Sequence, residues 1–158
     1  MTEATLHADF VDLLDALAAE DVEFMLVGAF ALAAHGAPRH TGDLDVWVRA
    51  DPENARRVVR ALARFGAPIE AHGIGEANFA RVGDVYQMGV PPVRIDLLTG
   101  VSGLDFEAAW AHRVTVGLGA LQVPVLGLAD LIANTRATGR VKHLQDLELL
   151  REAGVEVD

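Results

Sequence analysis

The sequence predicts an α/β (α+β) chain: a small mixed β-sheet with flanking helices. Three observations carry that expectation. Short apolar runs alternate with segments of helical periodicity along the chain. The run Asp43–Val48 places Leu44, Val46 and Val48 at every second position, as a half-buried strand requires. The segment from Asp51 opens with Asp as N-cap, Pro52 at the first helical position and Glu53 in the first turn, a helix start in sequence form.

The elements follow in order. From about Leu6 to Glu20, Phe10, Leu13, Leu14 and Leu17 lie three or four apart with Asp9, Asp12 and Asp15 between them, which predicts an amphipathic helix. Val22 to Val27 is a short apolar run, read as a buried strand. Gly28-Ala29 leads into an Ala-rich helix over Phe30 to His35, stopped by Gly36-Ala37-Pro38. The Asp43–Val48 strand comes next. The helix from Asp51 should run to about Arg64, with Val58, Val59, Leu62 and Phe65 as its apolar stripe and arginines on its wet face. Ile69 to Gly89 is Gly-rich and predicts a loop with one strand near Asp84–Met88. Val93–Leu98 reads as a strand with Val93, Ile95 and Leu97 on one face and Arg94, Asp96 and Leu98 on the other. A short helix is expected over Asp105–Ala111, strands over Arg113–Leu118 and Leu121–Leu126, and helices over Gly127–Arg136 and Lys142–Ala153.

At 158 residues with half of them apolar, the chain reads as one globular domain. No apolar run has the length of a membrane span, and the acidic N-terminus is no secretory signal, so a cytoplasmic location away from membranes is expected. The absence of cysteine rules out disulfides and thiolate metal sites. A net charge of -10 argues against a surface that coats nucleic acid. The positive charge is clustered, however. Residues 1–38 hold no Lys or Arg, whereas Arg39, Arg49, Arg56, Arg57, Arg60 and Arg64 follow closely, and Arg136, Arg140, Lys142 and His143 form a second group.

Chemistry concentrates in the carboxylates. Asp43 and Asp45 are two apart on a strand, so both leave the same face. Such a pair is often only a solvated turn. Here a third carboxylate, Asp96, stands among apolar residues on a later strand, where a lone charge needs a reason. Adjacent carboxylates repel, and the expectation is that a divalent cation, Mg2+ or Mn2+ for an all-oxygen donor set, holds them together. Three carboxylates can hold two such ions for an in-line phosphoryl or nucleotidyl displacement, with Asp96 also placed to act as general base. Gly28 permits close approach of a phosphate to the following helix start. Without metal the repulsive pair should weaken the fold, so Asp43→Asn and Asp45→Asn are both expected to raise apoprotein stability slightly.

Val27-Gly28-Ala29, then Asp43-Leu44-Asp45-Val46, then Ile95-Asp96-Leu97 resembles the nucleotidyltransferase superfamily typified by DNA polymerase beta. The wider stretch Gly28 to Gly36, with Arg39, Thr41 and Asp43-Leu44-Asp45, is similar to its small prokaryotic branch, which includes the AbiEii-type (type IV) toxins of toxin–antitoxin systems. The tail Arg140 to Leu147 shares that similarity less specifically. The resemblance implies a nucleotidyltransferase fold over a single minimal domain, residues 1–158, with Asp43, Asp45 and Asp96 as catalytic and metal-binding residues. It implies an NTP as substrate, contacted by Gly28, Ala29, Arg39, Thr41 and Lys142, and a hydroxyl acceptor on tRNA, a protein or a small molecule. Arg39, Arg49 and Lys142 read equally well as triphosphate contacts or as solvated surface cations. An antitoxin or a second copy of the chain is the expected partner. One departure stands out: Ala29 occupies the place where the family has Gly or Ser, so no hydroxyl is offered there. The alternative that follows is a catalytically degenerate nucleotide-binding module of the same fold.

Overall fold

The computed structural model describes residues 7–37, 43–90, 93–139 and 141–157, with the side chains of residues 141–143 outside the description. Helix α1 spans Ala8–Ala19, strand β1 Phe24–Val27, helix α2 Gly28–Ala34, strand β2 Asp43–Val48 and helix α3 Pro52–Phe65. Strands β3, Val85–Met88, and β4, Arg94–Leu98, follow a loop with one 3-10 turn over Glu76–Asn78. Helix α4, Phe106–Ala111, precedes strands β5, Val114–Leu118, and β6, Leu121–Val125. Helices α5, Leu128–Thr138, and α6, Val141–Glu152, complete the order. These bounds lie close to those the periodicity predicts. One shift has a clear cause: α2 begins at Gly28 with no intervening loop, because Gly28 takes φ +66° and turns the strand directly into the helix.

One six-stranded mixed sheet runs in the order β3-β4-β2-β1-β6-β5. Its centre positions the carboxylates. β2 pairs with β1 antiparallel and with β4 parallel, and β4 pairs with β3 antiparallel. One face carries Leu44, Val46, Val48, Ile95 and Leu97, all buried, and α1 and α3 pack on that side with Leu13, Leu14, Leu17, Val58 and Leu62. This is the main core, and the non-directional burial of these side chains fixes the strand register: a slip of one residue would drive Asp45 or Asp96 into it. On the opposite face α4 brings Phe106 edge to face against Trp47 with ring centroids 5.0 Å apart, whereas Phe30 of α2 meets Phe10 of α1 at 5.9 Å.

The first turn of α3 anchors the rim of this frame. Asp51 accepts from the Asn54 backbone N–H at 2.7 Å, closing the cap expected from sequence. Asn54 itself is buried, accepts from Glu23 N–H at 2.8 Å, and donates to the carbonyls of Glu23 at 3.1 Å and Arg49 at 2.9 Å. Its side chain thus satisfies three backbone groups where β1 begins and β2 ends. Among the described residues no helix is long and apolar enough to cross a membrane.

Candidate carboxylate site

The parallel register sets Asp43 beside Arg94, Asp45 beside Asp96 and Trp47 beside Leu98. Residues paired in this way share a face. Asp43, Asp45 and Asp96 therefore emerge together on the face away from the main core, as their spacing requires. Val27 of β1 stands opposite Asp45 on the other side. Gly28, next in the chain, brings its backbone so near Asp45 that a Cβ on Gly28 would overlap the Asp45 Oδ2. Glycine suits the position on two counts: the positive φ, and the Asp45 carboxylate that any Cβ there would have to push aside. Ala29 follows in the first turn of α2, half-buried.

Arg94 stands among the three acids. Its Nη2 donates to Asp43 Oδ2 at 2.8 Å and to Asp96 Oδ2 at 3.5 Å, and its Nε lies 3.3 Å from Asp96 Oδ1. That last approach has poor hydrogen-bond geometry: both Asp96 Oδ1 and Arg94 Nε are buried atoms with no hydrogen-bond partner. Sequence spacing puts Arg94 on the carboxylate face, but spacing alone does not reveal that its guanidinium spans two strands. The positive partner expected to hold the acids together is thus already supplied, in part, by the chain.

The electrostatics follow the geometry. Burial, then the neighbouring charges of Asp96 and Asp43, push the Asp45 carboxyl up to about 6, with Arg94 opposing. Burial also raises Asp96, whose residue is only 7% exposed, again against the pull of Arg94. Gln87, opposite Asp96 in the β3–β4 register, helps to hold its charge. A set of carboxylate oxygens, one of them buried and accepting no hydrogen bond, suits a hard divalent cation such as Mg2+ or Mn2+. Among the described residues, however, no three acidic or imidazole groups already surround a common point as a finished ligand set.

The remaining candidates are placed as follows. Arg39 and Thr41 lie outside the described residues, as does the side chain of Lys142 on α6. Arg49 is not at the carboxylates. Four residues beyond Asp45, about 13 Å along the strand, it pairs with Glu23 at 3.3 Å and with Glu107, and lies over the Phe106 ring at 4.8 Å. Neither a triphosphate contact nor a solvated cation describes it: it clamps α4 to the end of β2. On α3, Arg57 and Arg64 are tied to Glu53 and Glu20, so this arginine group is largely a wet helix face. Trp47 is core, and Trp110 stacks on Phe106 with Arg113 at 3.8 Å from its ring centroid.

Solved structures share this architecture. A protein of Thermotoga maritima, provisionally described as a nucleotidyltransferase, matches with a TM-score of 0.56 at 16% identity, over 90% of this chain and 88% of its own. An antigenic nucleotidyltransferase-like protein from Paracoccidioides brasiliensis matches with a TM-score of 0.51 at 15% identity, over 92% of this chain and 74% of its own. Likeness at such identities speaks to fold alone, and the fold is that of nucleotidyltransferases. No protein-family model matches the chain, and no curated protein does.

Proposed function

We propose that this nucleotidyltransferase-fold chain transfers a nucleotidyl group from an NTP to a hydroxyl acceptor, with Mg2+ or Mn2+ held by Asp43, Asp45 and Asp96. The observation that carries the reading is the in-register pairing of Asp45 with Asp96 across two parallel strands, with Gly28 pressed against Asp45. A cation bound there would offset the charge of the triphosphate and lower the pKa of the acceptor hydroxyl.

The chain's own residues account for the rest. Asp43 and Asp45 gather the cation. Gly28 keeps the nearby backbone free of any side chain that would crowd the carboxylates. Asp96 takes the acceptor's proton, a task suited to a carboxylate whose affinity for protons burial has raised. The acceptor oxygen then bonds to the α-phosphorus, the α–β phosphoanhydride bond breaks, and pyrophosphate leaves. The acceptor belongs to one of three classes: tRNA, a protein side chain or a small molecule. A role as the toxin of a toxin–antitoxin pair, residence in the cytoplasm and operation as a single minimal domain complete the proposal. Arg39, Thr41 and Lys142 are the proposed triphosphate contacts.

The test is incubation with each α-labelled NTP and Mg2+ or Mn2+ against total tRNA and cell lysate. Label should pass to one acceptor class with release of pyrophosphate, and Asp45→Asn and Asp96→Asn should each abolish transfer. A second reading, a nucleotide-binding module without turnover, is favoured by Ala29, which offers no hydroxyl to a phosphate. NTP-dependent thermal protection with no labelled product would select it.

A further inference from the structure

Arg94 is the feature of the carboxylate face that the proposed chemistry leaves unused. It is the group that bridges Asp43 and Asp96, on two separate strands. Its guanidinium occupies the ground between acids that a divalent cation would share. The fit is incomplete: one good bond goes to Asp43 and a long one of 3.5 Å to Asp96 Oδ2, while Asp96 Oδ1 and Arg94 Nε are ion-paired at 3.3 Å with neither atom in a hydrogen bond. A buried acceptor left unsatisfied beside a cation is a site held ready, because its desolvation cost is recovered only when a better partner arrives.

We infer that Arg94 is a resident counter-ion of the carboxylate site: it holds Asp43 and Asp96 together in the metal-free protein, and a divalent cation must displace its guanidinium from at least one of them in order to bind. The inference rests on the metal-dependent reading above, and it adds a positioning residue that sets the threshold for loading. A like charge within a few Å of the incoming cation weakens binding, and that weakening is relieved only as the guanidinium withdraws. Arginine suits the role because its planar fork can span two carboxylates at once, whereas an ammonium is a point charge. Its side chain is about one third exposed, which leaves it a path outward to water.

The test measures metal binding directly and needs no turnover. Mn2+ binding is followed by loss of the free-ion EPR signal for the wild type, Arg94→Gln and Arg94→Lys. Arg94→Gln should bind Mn2+ at least about tenfold more tightly than wild type, and its metal-free form should melt lower. Arg94→Lys should fall between. In the wild type alone, Mg2+ titration should shift the Arg94 Nε–H resonance and speed its exchange with water, the peak being assigned by its loss in Arg94→Lys. This readout stands even if Arg94→Gln fails to fold. Weaker or unchanged Mn2+ binding in Arg94→Gln, or an Nε–H resonance indifferent to Mg2+ while Mn2+ binds, overturns the inference and leaves the metal reading in place. Failure of the wild type and both variants to bind Mn2+ at all overturns both.

Discussion

Asp43 and Asp45 look alike in sequence and behave as opposites in the structure. Asp43 is paired with Arg94, whereas Asp45 faces Asp96 and is crowded by Gly28. The sign of their contributions differs accordingly. The Asp45 carboxyl is raised from 3.8 to about 6, so the folded protein binds its proton more tightly than the unfolded chain does. Its contribution is therefore fully present below about pH 4 and is lost as pH rises through 6, on the order of 2–3 kcal/mol in total. In EDTA, urea melts between pH 4 and pH 7.5 should show this loss in the wild type, and Asp45→Asn should be more stable than wild type at pH 7.5. Asp43→Asn, expected from sequence to behave in the same way, should instead be neutral or lose up to about 1 kcal/mol, because it gives up the partly exposed Arg94 ion pair. Equal stabilisation by both variants would mean that Arg94 does not hold Asp43 in solution. Gly28→Ala should lower stability by at least about 1–2 kcal/mol, from the left-handed backbone alone. It should also disturb Asp45, so the Tm gain conferred by Mg2+ and NTP should shrink with it.

At the scale of elements, the sequence was most legible where a period was clean. β2, β4, α1 and α3 were readable because alternation and three-to-four spacing report burial directly, and the Asp51-Pro52-Glu53 start of α3 was readable because capping is local chemistry. The common face of Asp43, Asp45 and Asp96 followed from strand parity plus the assumption that β2 and β4 are neighbours. What spacing cannot carry is a partner chosen by tertiary packing. Strand parity puts Arg94 on the carboxylate face but says nothing of its position between two acids, and nothing local marks Arg49 as a residue that serves α4. Asn54 gives no signal in the sequence, since one polar residue in the first turn of a helix looks like any other. Its three bonds to backbone groups predict a large effect: Asn54→Ala should cost about 2–4 kcal/mol in chemical denaturation, well above an ordinary cap. A loss under about 0.5 kcal/mol would show that water takes over those bonds.

For the molecule as a whole, the charge of -10 sets the terms of any encounter with RNA. Long-range attraction is absent, so an RNA acceptor would be held only by a local basic patch, and filter binding of tRNA should weaken steeply between 50 and 200 mM salt, values of about the range over which phosphate contacts are lost. Salt-independent retention would point to a protein or small-molecule acceptor.

The parallel pairing of β2 with β4 also governs when the site comes into being. Asp43 and its partner Arg94 are 51 positions apart, whereas Asp96 meets Gln87 across the local β3–β4 hairpin. Closing the longer loop costs about 3.5 kcal/mol of chain entropy beyond a constant, so the hairpin half of the site should assemble early and the β2 half late. A ligand that requires both halves then has nothing to hold in the folding transition state. Mg2+ with NTP should leave the folding arm of the chevron where it is and slow the unfolding arm by the full binding free energy, about 2.7 kcal/mol or a hundredfold at a ligand concentration of 100 Kd. Acceleration of refolding by the same ligand would place the β2–β4 contact in the nucleus instead. On the expected behaviour, nucleotide acts as a brake on opening rather than as a template for closure, and the loaded protein outlives the empty one without ever forming faster.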